Sequence, residues 1–500
     1  MKSVVLMLAG LLLGAAAVAG EPVVVNNPVV TTDKSVDCRT VDSILKGLVK
    51  DGMTDEGKVI AVYHWCRRMI SHGGGEFPLQ IRFNFLYQMN VIGLGSCISQ
   101  TTPLSVMLER LGYKTRTWDL DGHHCMQVKY GDKWHLLDPH TNFYVFDRSE
   151  PRTIASIEQI KADLTLVTDA VKEGRACPGF LLCGDDVNMF ATKDKWTDNG
   201  DFPEGKKKPI IKEPFGEITL RRGETYVRTW MPGKYWCLNN GDKGLRNNGP
   251  YHSCRSRDRA DSVNWPLYEP HGWEVRHKGN AQASVSYRHW AAGRILYKPD
   301  IAGDHYADAV VEQKNFGPGK RDQAPVLMPL DANAGGEVVF GVNCPYAIAA
   351  GEIAITRAGE GDLAVSVSVD RGQNWQPVEV ATDKDKVTGL FVKQVNGSFA
   401  GYWLKIAVPA KAAIAGLELT SHFMLNAYSL PYLVPGKNVV SVEAGRFGAP
   451  LSVTCNWAEG DGWKEPKTVT KSFEKNGAFE LDVAGPKYPR MESLVLSVAP

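Results

Sequence analysis

The chain has 500 residues, 43% hydrophobic and 23% charged, and its 57 basic and 56 acidic side chains leave a formal charge of +1. That length exceeds what one hydrophobic core serves, so roughly three or four domains are expected. A balanced charge offers no field for nucleic acid or for an anionic membrane surface, and neither is expected as a partner.

In chain order, Lys2 is followed by an apolar run from Val4 to Leu13 and then by Ala15-Ala16-Ala17-Val18-Ala19-Gly20. A charged start, a short apolar segment and an Ala-x-Ala site make residues 1–19 a secretory signal peptide, with cleavage after Ala19 or Gly20. The protein is therefore expected to be secreted or periplasmic. No cysteine follows the site to carry a lipid, and no later apolar run reaches the length of a transmembrane helix. Export makes the ten cysteines informative, because disulfides persist outside the cytoplasm. Cys177 with Cys183, and Cys237 with Cys254, are the expected pairs, each closing a short loop rich in turn residues. No Cys-x-x-Cys spacing and no completing histidine pair suggest zinc, so no metal is expected.

After an extended lead-in from Glu21 to about Asp37, Thr54 reads as an N-cap with Asp55 and Glu56 in the first helical turn. Val59, Ile60, Tyr63, Trp65, Cys66 and Ile70 supply the apolar face of that helix. Ser71-His72-Gly73-Gly74-Gly75 is similar to an esterase oxyanion loop, but no Gly-x-Ser-x-Gly elbow accompanies it, and it reads as a flexible loop. Cys97, Thr101, Leu104, Leu108 and Leu111 form the next helical stripe, capped by Gly112. A helix start near Ser99 would keep Pro103 close to the first turn, where a missing N–H matters least. A cysteine at such a start feels the positive end of the helix dipole, which favours thiolate.

Lys114 to Leu120 suits a strand. Cys125 to Tyr130 and Lys133 to Asp138 form a hairpin about the Gly131-Asp132 turn. Alternation puts His123, Cys125 and Gln127 on one face and Trp134, Leu136 and Asp138 on one face, so pairing can bring His123 to Asp138. The adjacent His124 is the alternative base. A lone cysteine is usually a small buried hydrophobe and a lone histidine usually structural. Their order, local structure and spacing together point instead to a thiol nucleophile, its base and the base's orienter.

Beyond residue 150, a helical stretch at Ile154, Ile157 and Ile160 leads into an irregular extension over 151–214, with a basic run, Lys206-Lys207-Lys208, as linker. Residues 215–320 read as β-rich, 321–434 as a β-sandwich and 435–500 as a smaller β unit. Ser368-Val369-Asp370-Arg371-Gly372-Gln373-Asn374-Trp375 resembles the Asp-box of bacterial sialidases. One box does not make a propeller, so a hairpin turn held by Asp370 over Trp375 is the expectation. Tryptophans between Trp230 and Trp290 are expected in core, although flat aromatics also stack on sugars.

Gly95-Ser96-Cys97, Leu111-Gly112-Tyr113-Lys114-Thr115-Arg116, Gly122-His123 and Trp134-His135-Leu136-Leu137-Asp138-Pro139 resemble, in that order, the transglutaminase-like superfamily. The resemblance covers residues 40–150. It implies a papain-like α+β domain over 36–150, with a helix carrying Cys packed on an antiparallel sheet carrying His and Asp. Immunoglobulin-like or other β-sandwich domains would follow it. Cys97 is then the nucleophile, His123 the general base and acid, and Asp138 its orienter, with no cofactor. Where many members place an aromatic residue and an acid, two and four positions after the histidine, this chain has Cys125 and Gln127. The implied reaction is acyl transfer or hydrolysis at peptide or protein amides through a thioester. The contrasting expectation is an inactive transglutaminase-like protein that binds an extracellular glycan or a cell-surface protein.

Overall fold

The computed structural model describes residues 24–72, 84–139, 143–149, 151, 153–172, 192–202, 211–231, 233–235 and 290–500. The expected signal peptide, the glycines after His72, Cys177, Cys183, Cys237, Cys254 and the lysine run lie outside these residues. So do most of the tryptophan-rich tract and any test of its sugar stacking. Among the described residues, no helix is long and apolar enough to cross a membrane.

Three helices build one side of the N-terminal unit. Helix α1 (Val41–Leu48) starts in a capping box, in which Thr40 and Ser43 each satisfy the other's backbone N–H. Helix α2 (Asp55–Met69) starts at Thr54, whose side chain accepts from the Gly57 N–H, and buries Val59, Val62, Tyr63, Cys66 and Met69. Helix α3 (Cys97–Arg110) begins earlier than Ser99: Ser96 is extended, and its carbonyl takes the first helical bond, from Gln100. Pro103 therefore lies inside the helix and leaves the Ser99 carbonyl without a helical partner. Continuous burial from Ser99 to Leu108 holds the helix despite that loss. Its end is a Schellman turn: Gly112, at φ +91°, donates to Glu109, and Tyr113 donates to Leu108.

Helix α3 packs on an antiparallel sheet of β1 (Lys114–Leu120), β2 (His124–Tyr130), β3 (Lys133–Leu137) and β4 (Trp196–Asp201), in the order β3-β2-β1-β4. Gly131 and Asp132 both take positive φ between β2 and β3, the backbone of a tight hairpin turn. Met126, Val128 and Leu137 face the main core, while Trp118, Leu120, Cys125 and Leu136 belong to a second, smaller one. The second core is closed by Ile157 and Ile160, from the short helix Ile157–Ala162, and by the following helix Thr165–Lys172. With cores on both faces, β2 is buried along most of its length.

The C-terminal half is built of large antiparallel sheets. An eleven-stranded sheet draws strands from all three segments expected after residue 214: Glu224–Thr229 and Trp290–Tyr297, Ala347–Gly359 and β5 (Ala412–Asn426), and Leu451–Glu459 with Arg490–Val498. A five-stranded sheet is centred on Gly336–Val342 and Tyr402–Val408. The extended lead-in also forms strands: Val24–Asn26 pairs with Thr219–Arg221 and Arg446–Phe447, and Val29–Thr32 with Gly436–Glu443. The Asp-box is a turn. Asp370 accepts from the backbone and side chain of Asn374 and sits at about 2 on the pKa scale through those bonds. Trp375 is half-buried with the Lys405 ammonium 4.4 Å from its ring centre. Trp230 is buried, as expected.

Strand glycines here mark close approach rather than loose backbone. A Cβ on Gly351 would fall 1.9 Å from the ring of Phe391, its cross-strand partner. Gly351→Ala should lower stability by about 1–3 kcal/mol through that overlap, read as a lower urea midpoint.

Candidate active site

Two chain segments converge just ahead of Cys97. Ser71–His72 follows α2, Leu94–Gly95 precedes α3, and the two pair in parallel. The second segment leaves a π-helical turn, Gln88–Ile92, which Gly93 ends at φ +62°. Gly95 has no room for a side chain, since a Cβ would lie 2.5 Å from Cβ of Ser99 and 3.2 Å from the Gln88 amide nitrogen. Ser96 then caps α3, and Cys97, half-buried, is its first residue.

Burial alone would raise the Cys97 thiol. A hydrogen bond with the His123 side chain, the backbone N–H groups of His124 and Ile98, and the charge of His123 outweigh it, and the thiol falls below its ordinary value of 9.0. His123 sits one residue before β2, after a turn in which Asp121 and Gly122 have positive φ. The Gly122 N–H donates to the Asp119 carboxylate at 2.6 Å and the Leu120 N–H to the His123 carbonyl at 2.7 Å. These bonds fix the turn. Nε2 of His123 lies 2.6 Å from Oδ2 of Asp138, leaving Nδ1 for the thiol. Burial lowers the imidazolium's pKa, but the Asp138 charge and the Cys97 contact prevail and carry it up to about 10.

Asp138 is 1% exposed and follows β3. Its N–H and carbonyl bond reciprocally with Phe143, each at 2.9 Å. The Tyr63 hydroxyl donates to the same carbonyl at 3.1 Å, and the Arg67 guanidinium donates to the carbonyl of Pro139. One turn apart on α2, Tyr63 and Arg67 thus hold the loop that presents the carboxylate. Neither stands out as polar machinery in the sequence, where Tyr63 reads as part of the apolar face of α2.

Cys97, His123 and Asp138 are thus brought together, and the ring meeting Asp138 belongs to His123. His124 contributes its backbone N–H to the Cys97 sulfur. Cys125 is fully buried with its thiol pushed well up, first by burial and then by the charges of Asp138 and Cys97. The Met126–Leu137 pairing, continued one step, sets Cys125 opposite Asp138. Gln127 lies in a separate network: it accepts from Arg116 at 2.8 Å and donates to Glu158 at 3.3 Å. Among the described residues no group of three or more metal-ligating side chains gathers, and Cys38, Cys66, Cys97, Cys125, Cys344 and Cys455 are free thiols.

No family model and no curated protein matches the chain. Eleven chains of solved structures do. The pilus backbone protein of Streptococcus pneumoniae is 12% identical over 37% of this chain and 83% of its own, with a TM-score of 0.13. A structure of the manganese lipoxygenase of Gaeumannomyces graminis, with part of the zonadhesin of Komagataella pastoris, is 8% identical over 42% of this chain and 58% of its own, with a TM-score of 0.11. Superpositions that poor carry no functional argument.

The two shifts set a pH window. Raised above 6.5, His123 adds stability that is complete below pH 6.5 and lost as pH rises through about 10. Lowered below 9.0, Cys97 adds stability present above pH 9.0 and lost as pH falls through its depressed value. The two shares run in opposite directions with pH, and above pH 9.0 only the His123 share still changes. Measured against the Cys97→Ala/His123→Gln double variant, the wild-type urea midpoint should keep the His123 share of its gain at acid pH and lose the last of that share as pH rises from 9.0 through about 10. At neutral pH iodoacetamide should also label Cys97 ahead of Cys38, Cys344 and Cys455, whose thiols burial pushes up to about 12.

Proposed function

We propose that the N-terminal unit is a transglutaminase-like cysteine enzyme, of the papain-like class, that performs acyl transfer or hydrolysis at peptide or protein amides outside the cytoplasm. The observation that carries this reading is the 2.6 Å bond between His123 Nε2 and buried Asp138, with the same ring hydrogen-bonded to Cys97 at the start of α3. The packing of α3 on the sheet that leads into His123 and Asp138 supports the fold class.

In the proposed reaction the Cys97 thiolate attacks the amide carbonyl and forms a C–S bond. Charge moves to the carbonyl oxygen beside the first-turn N–H groups of α3, which are oriented for an anion. The C–N bond then breaks as the His123 imidazolium gives its proton to the departing amine. A thioester and a neutral imidazole remain. Water or an amine next attacks the thioester while His123 takes the proton of that nucleophile. Cleavage of the C–S bond releases an acid or a new amide and restores the thiolate and imidazolium. Asp138 stays ionised throughout, holding the ring in one tautomer and stabilising its charged form.

The test is incubation of the full chain with a peptide mixture rich in glutamine and unhindered backbone amides, with and without a small primary amine, followed by mass spectrometry. An acyl adduct on the Cys97 peptide and amide-derived products are expected. Cys97→Ala should reduce product formation by about 10³-fold or more. Product acid or product amide identifies the acceptor as water or amine. Products that survive in Cys97→Ala, or an acyl adduct absent from Cys97, would overturn the proposal and leave the binding-protein alternative.

A further inference from the structure

Asn426 ends β5 and is completely buried where the large sheet meets the N-terminal unit. Its amide nitrogen donates twice, to the carbonyl of Met69 at 2.9 Å and to that of Met89 at 2.6 Å. Its oxygen accepts from the Tyr428 N–H at 3.0 Å. Met69 closes α2, so its carbonyl is one of those that a helix end leaves without an internal partner. Met89 belongs to the π-helical turn, a wide backbone form that is rare and often found at functional sites.

The two acceptors lie on the two segments that next converge at the site. The chain runs from Met69 into Ser71–His72, and from Met89 through Gly93 into Leu94–Gly95, Ser96 and Cys97. From the other side, the Gln100 amide on α3 donates to the Ile70 carbonyl at 2.9 Å. A strand end of the β region and the nucleophile's own helix thus grip the same short piece of backbone. Only a carboxamide suits the position: aspartate would set oxygens against two carbonyl oxygens, serine has one donor, and an apolar residue would leave both carbonyls buried and unbonded.

We infer that Asn426 is a positioning residue for Cys97, fixing the spacing of the Met69 and Met89 segments and so the point from which the thiol enters α3. The inference rests on the proposed role of Cys97 as nucleophile, and it makes the large β-sheet part of the active unit. Neighbouring contacts tie the same faces together without touching those two carbonyls. The Ser429 hydroxyl lies 2.8 Å from the carbonyl of Asn426 itself and 3.4 Å from that of Asn90, and the Arg68 guanidinium lies 5.4 Å from the Tyr428 ring centre and 5.8 Å from that of Tyr432.

The test follows iodoacetamide alkylation of Cys97 against pH in the full chain, for wild type, Asn426→Ala, Asn426→Ser and Tyr432→Leu, with circular dichroism to confirm folding. Wild type should react with a midpoint below the ordinary thiol value of 9.0. Asn426→Ala should move the midpoint upward by about one unit, an approximately tenfold slower reaction at neutral pH. Asn426→Ser should fall between the two, and Tyr432→Leu should match wild type. If Asn426→Ala does not fold, the serine variant is read in its place. A folded Asn426 variant with the wild-type profile, or a Tyr432→Leu shift of equal size, overturns the positioning role and leaves the nucleophile reading standing. An ordinary thiol profile in wild type overturns both.

Discussion

The bond between His123 and Asp138 is the constraint on which the proposed chemistry depends. In water a carboxylate and an imidazolium at this distance gain little, because solvent screens them. Here the carboxylate is almost wholly enclosed, so its charge is unscreened and costly to leave without a partner. The histidine answers that charge by keeping its proton up to about pH 10, and the retained proton then favours thiolate at Cys97. The helix start contributes in the same direction through the Ile98 N–H. His123 holds its proton because it stands between Asp138 and Cys97, and Cys97 favours thiolate because His123 holds that proton.

Such an arrangement needs rigid support, and the fold supplies it from three directions. Tyr63 and Arg67 on α2 hold the carbonyls of Asp138 and Pro139. The Asp121–Gly122 turn fixes His123 against β1. The sheet itself is clamped between the α3 core and the second core around Trp118, Leu136 and Trp196. The main core continues without a break from α2 and α3 through Phe215 and Tyr346 into the large β-sheet. Tyr87, just ahead of the π-helical turn, packs edge-on against Phe215 and Phe399. The site is therefore seated on a joint between the two halves.

Much of the local structure was legible because single residues carry it. Thr54 caps α2, Gly112 ends α3 and Gly131-Asp132 turns the hairpin, each by chemistry that neighbours do not override. The grouping of Cys97, His123 and Asp138 was legible from residue order along a short stretch. The choice between His123 and His124 was less so. Alternation sets His123 with Cys125, on the smaller core, whereas Met126 lies under α3 with its sulfur 3.4 Å from the Ser105 hydroxyl. His123 escapes that logic because it stands just outside β2, in the turn. The start of α3 was misplaced because Pro103 seemed to require a nearby first turn, and burial tolerated the proline instead. Contacts between distant parts of the chain left no local trace. The pairing of Val29–Thr32 with Gly436–Glu443 is one example, and the Asn426 amide is another.

In the proposed site it is His123, and not its neighbour, that sustains the Cys97 thiolate. The pH dependence of Cys97 alkylation in His123→Gln and His124→Gln separates the two histidines. His123→Gln should return Cys97 to the behaviour of an ordinary buried thiol, with its midpoint at or above 9.0. His124→Gln keeps the backbone N–H that bonds the sulfur, so its midpoint should stay near that of wild type. A low midpoint that persists in His123→Gln, or one lost only in His124→Gln, would contradict that role of His123.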